Sequence, residues 1–555
     1  MFGSKRILVA TLILIFCVVI PAGAAVSIGA ASMMFKSKAA LHDDNGCVVW
    51  DGYIGTLIKM DKPGIVTVTV KADGQMARRV LPIMHLHIAD QREVFNVEDH
   101  GGAHTTYSDY TAKFNLPAGV HWVRVELAND IFKPPVDRNI FLKSITFSGA
   151  PVEVLNTPTN ENILAAADSY IKNYRRGQAA VTLEGLPKGT TVQVKLKNHA
   201  FNFGAAVFGY KPEHASWTKP NVPEGSNDYK YAQFIKSHFN MIVPENAGKW
   251  ELNEAMRDVP DMSLVDSMLD FAERNGISVR MHTVFWGAQQ PGWVQRLEQQ
   301  ALRDQKAYDE LWDEIMERID YVVTRRAGRY VELDGINESV HQPIYGEVFE
   351  IEGEAKIYKM IAEASAGRAR VYVNEFNVLN NPMDPYSNWY KGHIQSLLDE
   401  GAQIDGIGIQ CHTTGAEHDP IMIFRNLQHM SGFERPMTLT EFSSDDKNPA
   451  KVMTETMRLM FGNDQATGFM MWGFWKANTW RQGYALVDEN WNLTDAGKAY
   501  EKLMAEWTND ETLKVDDKGQ VSFTGFYGDY DVTIAGKTYP LTLKKGTVNC
   551  RISIK

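Results

Sequence analysis

Val331-Glu-Leu-Asp-Gly-Ile-Asn-Glu338 and Arg435-Pro-Met-Thr-Leu-Thr-Glu441 decide the reading of this 555-residue chain. Each is a short apolar-rich run that ends on a glutamate, with Asn337 before Glu338 and Thr440 before Glu441. Short apolar runs of this kind read as buried strands. In (β/α)8 barrels the reactive groups stand where the strands end. Two such ends in one chain point to a paired-carboxylate site at a barrel rim. Taken singly, each glutamate reads more readily as a salt bridge at a strand end, so the rest of the chain has to weigh the pair.

Eight strand candidates follow in order, at 201–207, 241–244, 277–283, 331–337, 370–374, 404–410, 437–440 and 468–472. Amphipathic helical segments such as 263–274 and 305–325 separate them. That alternation favours a single α/β (TIM) barrel over a doubly wound sheet. Polar and aromatic residues gather where these strands end. The second runs into Glu245, Asn246, Lys249 and Trp250, and the third into His282, Trp286, Gln289 and Trp293. The sixth ends on Gln410-Cys-His412, and the eighth leads to Trp472 and Trp480. Amides, imidazoles, a lysine and indoles on one face suit a sugar, which offers hydroxyls and an apolar ring face. The plainer alternatives stay open: His412 as a hydrogen-bonded core histidine, Lys249 as a surface charge, Trp472 and Trp480 as core or lid. Two carboxylates set across such a cleft are the machinery of glycoside hydrolysis.

A formal net charge of -11 argues against a nucleic-acid partner. No phosphate-cradling glycine motif is present. Four cysteines, at 17, 47, 411 and 550, offer neither a disulfide framework nor a metal spacing. Lys5 and Arg6 precede an apolar run to Ile20 and then Pro21-Ala-Gly-Ala-Ala25, the pattern of an export leader. Residues 1–25 are expected to be a signal peptide, which places the chain outside the cell or in a periplasm. Uncleaved, the same segment would anchor it to a membrane.

Residues 38–150 read as an all-β sandwich, with alternation in Gly64-Ile-Val-Thr-Val-Thr-Val-Lys71 and Val120-His-Trp-Val-Arg-Val-Glu-Leu127. In Asn129-Asp-Ile-Phe-Lys-Pro-Pro-Val-Asp-Arg-Asn139, the side chains of Asp130, Asp137 and Asn139 offer oxygen ligands for Ca2+. An Asx-rich turn without an ion explains the same residues. Residues 151–160 read as a linker and 161–507 as the barrel, with a β-hairpin near 179–197. Residues 508–555 read as a small C-terminal β segment that caps the barrel or binds sugar.

From about 160 to 507 the chain resembles glycoside hydrolase family 10, the barrel xylanases. Seven motifs carry the likeness in order: Glu245-Asn246 with Lys249-Trp250; His282-Thr283 with Trp286, Gln289, Pro291 and Trp293; Asn337-Glu338; Asn374-Glu-Phe-Asn377; Ile404 to His412; Thr440-Glu441; and Trp472-Gly473 with Trp480. The N-terminal part resembles calcium-dependent xylan-binding modules through its Asn-Asp…Asp-Arg-Asn ending. The resemblance implies a retaining endo-β-1,4-xylanase with Glu338 as acid/base and Glu441 as nucleophile. It implies that His412 touches the nucleophile and that Asn337 holds a sugar 2-hydroxyl. Glu245, Asn246, Lys249, His282, Trp286, Gln289, Gln410, Trp472 and Trp480 would line the glycone side. Catalysis would need no cofactor, and xylan would be the partner. Two positions depart from the family. Gly287 stands where histidine is usual, and Ser443 where an aspartate usually bonds the site histidine. A serine cannot supply that charge, whereas the neighbouring Ser444-Asp-Asp446 would offer it. These departures keep other β-linked glycans or oligosaccharides, and a polysaccharide-binding protein without turnover, as alternatives.

Overall fold

The computed structural model describes residues 23–381, 383–413, 418–546 and 549–553. The expected leader lies almost wholly in residues 1–22, outside the described residues. No described helix is long and apolar enough to cross a membrane.

The N-terminal part is a β-sandwich. In Gly64–Gln75, Val66, Val68 and Val70 are buried while Ile65, Thr67, Thr69 and Lys71 alternate outward, the period of a half-buried strand. This strand pairs antiparallel with Ser108–Leu116 on one side and Val136–Gly149 on the other. The facing layer runs through Gln91–Asn96, Ile83–Ile88, Gly119–Leu127 and Cys47–Met60. The layers join where Val49 pairs with Ile140. The sandwich begins earlier than residue 38. Gly23–Gly29 pairs with the end of Val136–Gly149, and Phe35–Leu41 pairs with Cys47–Met60. Ile28, Ala30, Met33 and Phe35 are all buried. Their small and apolar side chains continue the composition of the leader, which hides this boundary in the sequence.

The barrel strands are β1 (Asn202–Val207), β2 (Met241–Pro244), β3 (Ser278–Met281), β4 (Glu332–Asn337), β5 (Arg370–Glu375), β6 (Gly406–Thr413), β7 (Met437–Ser444) and β8 (Ala466–Met471). All neighbours are parallel, β1 pairs with β8, and β3 closes the ring on β4 through Arg280–Glu332 and Met281–Leu333. Helices cover the outside by their apolar stripes. Ser263–Asn275, for example, buries Val265, Met268, Leu269, Phe271 and Ala272 and stops at Gly276, whose φ of 65° closes the helix end. Inside the barrel the fully buried Arg280 bonds Glu332 at 2.6 Å and also Asp334, so its charge is paired.

The C-terminal strands do not form a unit of their own. Gln520–Phe526 and Asn549–Ser553 flank Arg176–Glu184, the first strand of the hairpin that precedes the barrel. Asp510–Lys514 and Gly528–Ile534 flank its second strand, Thr191–His199, with Lys537–Leu543 outside. Val181, Val192 and Val194 share a core with Val521, Phe523, Val532 and Leu543. The hairpin assigned to 161–507 thus belongs with residues 508–555. So few strands cannot enclose a core alone, and the hairpin completes it.

The N-terminal sandwich seats on the barrel. Phe35 and Trp122 pack on Phe424 with ring centroids 5.4 and 5.1 Å away. Lys391 donates to the Asp51 carbonyl at 2.8 Å.

Candidate active site

Glu338, just past β4, and Glu441, in the C-terminal half of β7, line one open cleft of about 520 Å³. Glu245, Asn246, Lys249, His282, Trp286, Gln289, Gln410, His412, Trp472 and Trp480 line it too. Asn337 lies beneath, buried, between the two glutamates. Glu338 is the first residue past β4 and has a φ of 59°. A non-glycine residue in that left-handed region is strained, by about 1–3 kcal/mol. Its backbone is pinned by N–H donation to Asn374 O at 2.8 Å and by the N–H groups of His341 and Gln342 on its carbonyl.

One hydrogen-bond chain joins the two carboxylates. Asn374 Nδ2 donates to Glu441 Oε1 at 2.9 Å and to Asn337 Oδ1 at 2.8 Å. Gln410 Nε2 reaches Asn337 Oδ1 at 3.4 Å and Glu338 Oε1 at 2.9 Å. Trp286 Nε1 donates to Glu338 Oε2 at 2.9 Å. Asn337 Nδ2 is buried and makes no hydrogen bond among the described residues. Burial, and then the Glu441 charge, push the Glu338 carboxyl up to about 7 against the donors Gln410 and Trp286.

The rest of the wall is held as firmly. Burial lifts Glu245 to about 7 and lowers Lys249. Lys249 Nζ donates to Asn246 Oδ1 at 2.9 Å and Gln289 Oε1 at 2.7 Å, and lies over the Trp286 ring. His282 Nδ1 donates to Asp334 Oδ2 at 3.0 Å and lies 3.9 Å from Glu441 Oε1. Trp472 is buried beside His282, whereas Trp480 is 54% exposed and stands edge-on to His412.

The two departures have structural answers. His412 Nε2 stands 3.1 Å from Glu441 Oε2, and its Nδ1 2.7 Å from Ser443 Oγ. A carboxylate only accepts, so Nε2 donates toward Glu441, and the Ser443 hydroxyl can donate to or accept from Nδ1. Asp445 pairs instead with Arg481 at 3.7 Å, and Asp446 accepts from Asn448 N at 2.8 Å. Neither carboxylate takes the place that Ser443 leaves uncharged. At Gly287, an added Cβ would lie 3.0 Å from Gln342 Cβ, Gln342 O and Ile344 Cγ2. The loop after Glu338 fills the room a side chain would need there.

Further residues complete the site. Tyr210 and Arg481, which the sequence did not single out, line the cleft. Phe376 and Asn377, quoted only as part of a motif, line it too, and Asn374 of the same motif touches Glu441 directly. Asp334 could have been found from its place in β4, since alternate residues of a barrel strand point inward. Arg481 carried no such signal.

In the sandwich, Asp137 Oδ2 accepts from Asn139 Nδ2 at 2.7 Å, and Asn139 Nδ2 also donates to Gln75. Asp130 Oδ1 is buried without a hydrogen bond among the described residues, and burial with the Asp51 and Asp137 charges lifts its carboxyl to about 6. Asp51, not singled out from the sequence, adds its charge to the surroundings of Asp130 and pairs with Lys391, whose Nζ lies 3.0 Å from its Oδ1.

Residues 198–505 match the family model of glycosyl hydrolase family 10. The chain belongs to that family. Anti-sigma-I factor RsgI6 of Acetivibrio thermocellus is 31% identical over 373 residues, 64% of this chain and 44% of its own length. Endo-1,4-beta-xylanase 3 of Arabidopsis thaliana is 28% identical over 316 residues, 55% of this chain and 40% of its own length. Xylanase 10B from Thermotoga petrophila, solved with xylobiose, is 22% identical with a TM-score of 0.47, covering 55% of this chain and 94% of that one. The chain spans less than half the length of the first curated relatives it matches.

Proposed function

We propose that this family 10 barrel hydrolyses β-1,4-xylan in mid-chain with retention of configuration. The observation that carries the reading is the pair itself: Glu338, lifted to about 7, faces Glu441 in a cleft walled by indoles and amides. In the first step a Glu441 oxygen attacks the anomeric carbon, and Glu338 gives its proton to the departing glycosidic oxygen. In the second, Glu338 as carboxylate takes a proton from water, whose oxygen attacks the same carbon and releases Glu441. A carboxyl near 7 is suited to both duties at neutral pH. The free Asn337 Nδ2 would bond the sugar 2-hydroxyl, most tightly in the transition state. Glu245, Asn246, Lys249, His282 and Gln289 would hold hydroxyls on the glycone side, with Trp286, Trp472 and Trp480 against ring faces.

The test is reducing-sugar release from soluble xylan by the full chain beside Glu338→Gln and Glu441→Gln. Activity in the parent and its loss in both variants supports the reading. An inert parent that still binds xylan favours a second one, a glycan-binding barrel, for which the uncharged Ser443 behind His412 is the specific motive. Activity confined to other β-linked glycans or to short oligosaccharides would reassign the substrate but keep the chemistry. The sandwich is proposed to hold xylan, with Ca2+ on the side-chain oxygens of Asp130, Asp137 and Asn139. Export through residues 1–25, cleaved or kept as an anchor, is part of the same proposal.

A further inference from the structure

A second cluster of metal-ligating side chains lies away from the cleft, where the sandwich meets the barrel. His85 and His87 stand two residues apart on Ile83–Ile88 and so share a face of the sheet. In register with Gly119–Leu127, His85 lies opposite Glu126, and His87 opposite Arg124. One ring nitrogen of each histidine and a carboxylate oxygen of Glu126 lie within 4.8 Å of one another. The cluster is covered: His87 is 9% exposed and Glu126 6%. His87 Nε2 and Glu126 Oε2, 3.6 Å apart, are both buried without a hydrogen bond among the described residues. Buried polar atoms left in this way are costly and rare. The barrel adds Glu434, whose Oε1 stands 3.0 Å from His85 Nδ1.

We propose that His85, His87 and Glu126 bind a divalent transition-metal ion of the zinc kind, with Glu434 orienting His85, so that the ion ties the sandwich to the barrel. Two imidazoles and a carboxylate are a donor set that Zn2+ accepts, with ligand distances of about 2.0–2.2 Å. A tetrahedral site with those bonds separates its ligand atoms by about 3.4 Å, close to the 3.6 Å between His87 Nε2 and Glu126 Oε2. A carboxylate on the far ring nitrogen is the usual outer support of a ligating histidine. Two guanidiniums shape the selectivity. Arg124 Nη2 lies 3.3 Å from Glu126 Oε2, and Arg92 pairs with Glu434. They offset the two carboxylates, so charge attraction contributes little and the nitrogen donors carry the affinity. Ions that prefer oxygen, such as Ca2+ and Mg2+, are thereby disfavoured.

The experiment is calorimetric titration of the chelator-stripped full chain with Zn2+, with Co2+ as a spectroscopic probe. The expected result is one ion at this site per chain, undisturbed by equimolar Ca2+, with a visible Co2+ absorption of tetrahedral type. His87→Gln should abolish that binding. Glu434→Gln, which leaves all three ligands in place, should weaken it about 10- to 100-fold, and it decides the matter should His87→Gln fail to fold. His412→Asn and Glu338→Gln should leave it unchanged. Zn2+ binding that survives His87→Gln, or that is lost with His412→Asn, overturns the proposal. So does the absence of stoichiometric binding, in which case the two bare atoms share only a water.

Discussion

Replacing Gln410 with leucine should extend the alkaline side of the activity profile. Gln410 Nε2 donates to Glu338 Oε1 at 2.9 Å, and this bond favours the ionised carboxyl, which with the bond in place burial and Glu441 still hold at about 7. Hydrogen bonds to a charged group contribute about 1.5–3 kcal/mol. At 1.36 kcal/mol per pKa unit, their loss raises Glu338 by about 1–2 units. Glu338 must be protonated to serve the departing oxygen, so the alkaline limb of kcat/KM should move from near 7 to about 8–9. The plateau should fall, because Gln410 also reaches Asn337. Glu441→Gln should act in the opposite sense, since it removes a negative neighbour. That variant is expected to be inactive, so its Glu338 is followed by carbon NMR of the labelled carboxyl. An alkaline limb that stays in place or moves down in Gln410→Leu would refute the assignment of Glu338 as the acid.

Glu298, buried and held by both bonds from Gln290 Nε2, is lifted by burial to about 7 from an ordinary 4.5. Its native form binds the proton more tightly than the unfolded chain, so it costs stability as pH rises through that window, about 3 kcal/mol in all at 1.36 kcal/mol per unit. Urea unfolding at pH 5 and pH 8 should show that loss shrink in Glu298→Gln; equal losses in parent and variant would contradict it. Gly287→His restores the usual family residue but meets Gln342 and Ile344 at 3.0 Å. It should lower stability by about 1–3 kcal/mol, and an unchanged Tm would show that the loop yields freely. Xylan binding by residues 23–155 should weaken in chelator and return with Ca2+; indifference to chelator would remove the calcium proposal.

The barrel and its two carboxylates were open to sequence reading because their signals are local. A short apolar run reports a strand, and a glutamate at its end reports a side chain near the barrel rim; all eight strands lie where apolar runs fall, although β7 continues past Glu441 to Ser444. What stayed hidden depends on partners distant in sequence. Strand Gly23–Gly29 shares its composition with a leader, and only its pairing with Ser144–Gly149 reveals it. The hairpin at 176–199 belongs with strands more than 300 residues later, which no local pattern reports. Asn374 and Asp334 act through Glu441 and His282 on other strands. Asp51 joins Asp130 only through the sandwich topology. Ser443 is legible as a departure, whereas the turn of Asp445 to Arg481 and of Asp446 to the Asn448 backbone follows from the fold of the loop after β7.

The central claim is that Glu441 bonds to the sugar while Glu338 supplies the proton. Its most direct test is to treat the full chain with an activated 2-deoxy-2-fluoro-xylobioside, which forms the glycosyl-enzyme faster than water resolves it, and to map the labelled peptide by mass spectrometry. The account predicts one adduct per chain on Glu441, formed in the parent and absent in Glu441→Gln. Label on another residue, or none in a preparation that releases reducing sugar from xylan, would contradict it.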